Sequence, residues 1–246
     1  MLQDLPIWLA HFRSQAAHPR LVPTTLDDTL TGRELRLIAQ SIATFQLGAS
    51  SPGTQLRAAV RHHCGSQDGH ACIEIFDLLI AEEQRHASLL GGFMQDHDIP
   101  RRERAFTDQA FRALRRLGEL EARLRILATA QIIGIVYYRA LEGVTDCRRL
   151  RILCRTIAAD ASAHVAFESQ LLLQMQGRRH GITKLLDGAR EQCVFVAAAL
   201  VVFATHRRVL KSAGYGPALF LRDCRSQYAF YLKWPAALRR LSPHGT

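Results

Sequence analysis

Proline is scarce in this chain and lies mostly near its ends. There are 8 prolines among 246 residues, six of them at positions 6, 19, 23, 217, 235 and 243. No run of alternating apolar and polar residues, the pattern of a half-buried strand, stands out. Because proline interrupts helices and strands need that alternation, the two absences favour an all-α protein with long helices.

The chain also lacks paired cysteines and long apolar runs. Its six cysteines are scattered without a Cys-x-x-Cys pair, which predicts reduced thiols in a cytoplasmic protein. The N-terminal stretch has Asp4 and Pro6 where a secretory signal would have basic charge and an unbroken apolar run. The longest apolar stretch, 193–204, is short of the roughly 20 residues that a membrane-spanning helix needs. A cytoplasmic protein is therefore expected.

Positive charge is concentrated at one end of the chain. The formal net charge is +10, yet residues 1–175 hold 20 Lys and Arg against 19 Asp and Glu. Residues 176–246 hold 12 against 3. This asymmetry predicts that the last part of the chain has a role of its own.

Four segments place apolar residues at alternating steps of three and four, which keeps them on one face of a helix. These stripes run through residues 35–49, 72–93, 117–138 and 150–171. Four such helices of about 25–35 residues each predict a four-helix bundle.

Polar residues interrupt three of the stripes. They are Glu83 and His86 in the second, Gln131 in the third and His164 in the fourth. A buried ionisable group is unfavourable unless it is paired or bound to metal. Two histidines and a glutamate on facing stripes favour a present or ancestral metal site over separate local hydrogen bonds, which remain the alternative.

The segments around these residues resemble the ferritin-like di-iron carboxylate superfamily, in particular bacterial ferritin-like domain proteins of unassigned function. The resemblance covers roughly residues 30–175 and is based on four segments. They are "SIATFQLGAS" (41–50), "IAEEQRHASLLGGF" (80–93), "AQIIGIVYYRAL" (130–141) and "ADASAHVAFES" (159–169). In that family, each half of the bundle gives one Glu and one Glu-x-x-His motif.

Matched by position, this chain keeps only part of the ligand set that the resemblance implies. The family's first Glu falls on Ala49, its third-helix Glu on Gln131 and its last Glu on Ala161. Both histidines remain, as His86 and His164, together with Glu83. Glu82 and Asp160 each precede a histidine by four residues, as do the acids that hold metal-binding imidazoles in the family.

The losses leave two interpretations of the site. Two buried iron ions need several carboxylates to offset their charge, and Glu83 alone remains. One interpretation is a pseudoenzyme with a degenerate di-iron site, which lacks oxidase activity and acts by binding or assembly. The alternative is an iron-dependent oxidoreductase with the reduced ligand set Glu83, His86 and His164, assisted by Gln131 or Asp160. One iron ion or none is expected rather than two.

The sequence is therefore predicted to form an N-terminal segment (1–30), a ferritin-like four-helix bundle (31–177) and a basic C-terminal extension (178–246). The extension is expected to be an additional helical pair. Its charge suits an anionic membrane surface, which would make the protein peripheral to the membrane, or an acidic protein. The alternative is a helical hairpin that caps the bundle. No nucleic-acid motif is present, and a homo-oligomer is compatible with the pattern.

Overall fold

The computed structural model describes residues 4–23, 29–64, 69–103, 119–176 and 182–233. These residues form nine α-helices and a π-helical turn, and they contain no β-strand, which confirms the all-α prediction. The helices are α1 (Leu5–Ala17), α2 (Gly32–Ala49), α3 (Thr54–His63), α4 (Gly69–Asp96), α5 (Leu120–Glu142), α6 (Arg148–Gln176), α7 (Ile182–Thr205), α8 (Arg207–Ser212) and α9 (Pro217–Tyr228). The π-helical turn covers Ala229–Lys233.

The four predicted stripes correspond to α2, α4, α5 and α6. α2 has 18 residues and is shorter than expected, because Pro52 and Gly53 follow its end. Gly53 has a φ of 65°, and a Cβ there would lie 2.8 Å from Ile80. The chain therefore turns sharply at this point and starts the separate helix α3, which was not predicted. Leu117, at the start of the third stripe, lies outside the described residues.

α2 begins with a capping box that also connects it to a distant loop. The backbone N–H of Glu34 donates to Thr31 Oγ1 at 3.2 Å, and the Glu34 carboxylate accepts from the Thr31 N–H at 2.9 Å. The same carboxylate accepts from the N–H of Asp146 at 2.9 Å. These hydrogen bonds fix the start of α2 against the loop between α5 and α6. The Thr31 hydroxyl, which donates to the Glu34 carboxylate at 2.7 Å, and the backbone N–H donors lower the pKa of Glu34 to about 2.

The site is framed by helices that pack side by side. α5 lies along α6, α2 lies along α4, and α4 also contacts α6. α1, within the predicted N-terminal segment, packs on α4 and inserts Trp8 and Phe12 into the core. The Trp8 indole N–H donates to Gln170 Oε1 at 2.8 Å, which ties α1 to α6 as well.

The C-terminal helices pack against the same apolar core. Phe195 in α7 and Phe220 in α9 are buried in one continuous cluster with residues of α4, α5 and α6. The extension was predicted to be a helical pair, but its described part contains three helices, because α7 stops at Thr205 and the separate helix α8 starts at Arg207. His206 lies between these two helices. Its side chain is buried and makes a hydrogen bond to α2. The predicted domain boundary at 177/178 and residues 234–246 lie outside the described residues.

Two helices in the described part of the chain are long and apolar enough to cross a membrane, judged by length and composition alone. They are Leu120–Glu142, which is mostly buried in the protein, and Gly188–Thr205, of which 17% is buried. The first behaves as an ordinary core helix. The second includes the predicted 12-residue apolar run and packs only one face on the body, through Phe195, Ala199 and Val202.

Candidate metal centre

The structure brings together the residues that were predicted to share one site. Ala49, Glu83, His86, Gln131 and Ala161 all line one cavity of about 160 Å³. His164 lies directly beside this cavity and contacts two of its lining residues, Glu83 and Gln131. The stripes therefore have the expected phase, and the positions that the resemblance matches to metal ligands face a common space.

His164 lies between two carboxylates of α4. Its Nδ1 is 3.1 Å from Glu83 Oε1 and its Nε2 is 2.9 Å from Glu82 Oε2. Burial alone would lower the pKa of His164, but its hydrogen bonds to Glu82 and Glu83 and their negative charge raise the pKa to about 9. At pH 7 the ring is therefore an imidazolium that donates from both nitrogens.

His86 has the opposite protonation state. Its Nε2 lies 2.8 Å from Asp160 Oδ2, and its Nδ1 is buried without a hydrogen-bond partner among the described residues. Burial lowers the pKa of His86 to about 4, so the ring is neutral at pH 7. Because a carboxylate can only accept, Nε2 holds the proton and Nδ1 presents a lone pair.

Two arginines complete the network around the acids. Arg85 Nη2 donates to Glu82 Oε1 at 2.7 Å and to Asp160 Oδ2 at 3.2 Å. Arg20 also pairs with Asp160, whose side chain is fully buried. Glu82 and Asp160 each bind an imidazole, as expected, but each binds the histidine of the other helix. Glu82 of α4 contacts His164 of α6, and Asp160 of α6 contacts His86 of α4.

One group of described side chains could hold a metal ion. Potential ligand atoms of Glu82, His86 and Asp160 all lie within 4.8 Å of one another, and all three residues are buried. This group shares His86 and Asp160 with the predicted ligands and uses Glu82 in place of Glu83. In the present geometry Arg85 bridges its two carboxylates, so a metal ion there would have to displace that guanidinium. The set Glu83, His86 and His164 stays a prediction.

The residues present do not fit the two iron ions that the resemblance implies. The four carboxylate positions hold Ala49, Glu83, Gln131 and Ala161. Gln131 Nε2 lies 3.3 Å from Glu83 Oε1, and Gln131 Oε1 is buried without a partner in the described part of the chain. Glu83 is the one carboxylate among these four positions, and a single carboxylate cannot offset the charge of two buried divalent ions.

Glu168 is a further buried acid, one helical turn beyond His164. It is fully buried, and neither carboxyl oxygen has a hydrogen-bond partner among the residues described here. Burial raises the pKa of Glu168 well above the usual range for a carboxyl group, because the charged form would be buried without a partner.

Sequence reasoning missed three cationic or imidazole side chains at the site. Arg85 follows Glu82 by three residues, a spacing that predicts an ion pair. Arg20 is 140 residues from its partner, and no local pattern reveals that pairing. His206 lines the cavity from the C-terminal part, with Nδ1 2.7 Å from Ser41 Oγ. Burial lowers its pKa to about 3.

Comparison with known proteins identifies no relative of this chain. No family model, curated protein or solved structure matches the chain.

Proposed function

We propose that this protein is a ferritin-like four-helix bundle that has lost di-iron oxidase chemistry and acts by binding. The helices α2, α4, α5 and α6 supply the bundle, and α4 and α6 each supply a histidine at the same depth. The resemblance of segments 41–50, 80–93, 130–141 and 159–169 to the ferritin-like superfamily supports the family part of the proposal.

The observation that carries the proposal is the balance of charge around the cavity. Among the described side chains, the carboxylates of Glu82, Glu83 and Asp160 face three cations. These are Arg20, Arg85 and the His164 imidazolium. The cluster is thus close to neutral from its own side chains, and two added divalent ions would leave several uncompensated positive charges in a buried site.

Anaerobic loading with ferrous iron tests this proposal. After removal of unbound metal, elemental analysis is expected to find at most about one iron per chain, because a bundle of this family needs about four carboxylates for two ions. His86→Phe, which removes the imidazole with the free lone pair, should lower whatever iron is bound. Near two irons per chain in the wild type would contradict the proposal.

The alternative is a single-iron oxidoreductase that uses Glu83, His86 and His164. The neutral His86 ring favours it, because its unpartnered Nδ1 is available as a ligand without loss of a proton. Near one iron per chain, retained by the wild type and lost in His86→Phe, would favour this alternative over a metal-free binding protein.

We also propose that α7 and α8 place the protein peripherally on an anionic membrane surface in the cytoplasm. α7 exposes an apolar stripe formed by Cys193, Ala197, Leu200 and Ala204. Arg207, Arg208 and Lys211 are exposed directly after it on α8. An apolar stripe followed by basic side chains suits lipid headgroups. An acidic protein partner is the other occupant that this charge would suit.

Vesicle co-sedimentation tests the membrane proposal. The protein is expected to bind anionic vesicles and not neutral ones, with about 1 kcal/mol from each basic side chain near the surface. Binding should weaken from 0.1 M to 1 M salt as the Debye length falls from about 10 Å to about 3 Å. The double change Arg207→Glu with Arg208→Glu should abolish binding.

The matched control for the vesicle experiment makes the same charge change elsewhere on the surface. Arg61 and Arg148 are exposed on α3 and α6, and their replacement by Glu should reduce binding only slightly. Equal binding to both vesicle types, or equal losses in the two double variants, would refute a membrane surface centred on α7 and α8.

A further inference from the structure

We propose that the cavity between α2, α4, α5 and α6 binds a small uncharged ring compound with a hydroxyl group, such as a phenol. The ring would lie in the apolar part and the hydroxyl would donate to Gln131 Oε1 or His86 Nδ1. This inference rests on the proposed function only in that it names the class of molecule bound, and it does not require a metal ion.

Small residues create the space for the ring. The cavity of about 160 Å³ is lined by Gly48, Ala49, Gly134 and Ala161. A Cβ added at Gly48 would meet no described atom within 4 Å, and one at Gly134 would approach only Phe45, at 4.0 Å. An engineered cavity of about 150 Å³ in another protein binds benzene. The volume therefore suits a single six-membered ring.

The walls of the cavity favour an apolar, flat occupant. They include the side chains of Phe45, Ile133, Tyr138, Ile157 and Val202. The Phe45 ring is stacked on the ring of Tyr137, with centroids 3.7 Å apart, so this wall is held in place. Aromatic rings pack well against such surfaces, whereas water gains few partners there.

The polar end of the cavity offers acceptors. Gln131 is 8% exposed and directs Nε2 to Glu83, which leaves Oε1 as the unpartnered atom. His86 is 1% exposed and directs Nε2 to Asp160, which leaves Nδ1. Neither free atom has a partner among the residues that the structure describes. Both accept hydrogen bonds, so the occupant must donate one to avoid leaving buried acceptors unsatisfied.

The charge beside this end excludes an anionic occupant. Glu83 lines the same cavity and lies within hydrogen-bond distance of Gln131. A carboxylate ligand would face this like charge and could not donate. A neutral hydroxyl both donates and avoids the repulsion, which selects an alcohol or phenol over an acid of the same size.

A second cavity adjoins the first on the side of α3. It has a volume of about 240 Å³, shares Gly48, Ala49, Glu83 and Leu127 with the first cavity and is also lined by Arg123. The Glu83 side chain, which lines both cavities, is 27% exposed, so the polar end of the first cavity lies close to solvent.

Binding of phenol to the full-length protein in the presence of EDTA tests the inference. By titration calorimetry, phenol is expected to bind about ten-fold more tightly than benzene, because only phenol satisfies a buried acceptor. Benzoate should bind more weakly than phenol. Gln131→Leu should remove most of the advantage of phenol over benzene. No binding of phenol, or equal binding of phenol and benzene, would overturn the inference.

A pair of glycine variants separates filling of the cavity from a general effect on the fold. Gly48→Leu fills the cavity and should abolish phenol binding. Gly92→Leu makes the same change on α4, where an added Cβ also meets no described atom within 4 Å, and should leave binding within about two-fold of the wild type. Phenol binding retained by Gly48→Leu would refute the site.

Failure of this inference can be distinguished from failure of the proposed function. If phenol does not bind and iron stays at or below about one per chain, only the ligand class is wrong. If two irons load, the proposed loss of di-iron chemistry is wrong, whatever phenol does. The two measurements use separate samples of the same wild-type protein.

Discussion

The triple variant Ala49→Glu, Gln131→Glu and Ala161→Glu is expected to bind about two ferrous ions per chain, the number that the complete family pattern holds. The three positions line the same cavity as Glu83 and His86. New carboxylates at these positions would point at a shared space and could offset the charge of two ions. Anaerobic loading followed by elemental analysis measures the gain over the wild type.

The same variant should be much less stable without metal. Four buried carboxylates repel one another and must take up protons, which we expect to lower the free energy of unfolding by on the order of 3 kcal/mol. Added ferrous iron should restore the stability, because it binds the folded state. Urea denaturation with EDTA and with iron gives both values.

A carboxylate placed outside the cavity is the control for this experiment. Ala81 is exposed on α4, next to Glu82, and Ala81→Glu should change neither iron content nor stability by much. If the triple variant binds no more iron than the wild type under reducing conditions, the cavity lacks the geometry of a di-iron site even when four carboxylates are present.

Asp160→Ala is expected to be the most destabilising single truncation at the site, at about 3–5 kcal/mol. Asp160 is fully buried and accepts from His86 Nε2, Arg85 and Arg20. Its removal leaves the His86 N–H without an acceptor and Arg85 with one carboxylate partner in place of two. Urea denaturation at pH 7 with EDTA measures the loss.

An exposed ion pair between α1 and α4 is the control for the Asp160 variant. Arg13 and Glu74 make two hydrogen bonds, at 2.6 and 2.8 Å, between α1 and α4, with side chains 59% and 41% exposed. Glu74→Ala should lower the free energy of unfolding far less than Asp160→Ala, because water screens and replaces such a pair. Equal losses in the two variants would show that burial does not determine the strength of the Asp160 network.

Helical periodicity was sufficient to predict the all-α class and the convergence of Ala49, Glu83, Gln131 and Ala161. That prediction succeeded because a step of three and four residues determines the face of a helix without knowledge of its neighbours. The resemblance added the expectation that Glu82 and Asp160 hold imidazoles, but not that each holds the histidine of the opposite helix.

Contacts that depend on tertiary packing could not be predicted in the same way. Arg20 reaches Asp160 across 140 residues, and His206 reaches Ser41 across 165. No short-range spacing in the sequence predicts either pair. The apolar run 193–204 gave no periodicity from which to tell a buried face from an exposed one, so the burial of Phe195 and the exposure of Leu200 follow only from the packing of α7.

The crossed pairs between α4 and α6 fix the position of one helix along the other at two points. Glu82 is paired with His164, and Asp160 is paired with His86. A slip of one helix along the other by one turn, about 5.4 Å, would break both pairs at once. None of these four side chains stands at Ala49, Gln131 or Ala161, the positions where the resemblance would place further carboxylates. The residues at those three cavity positions can therefore change while α4 and α6 keep the same alignment.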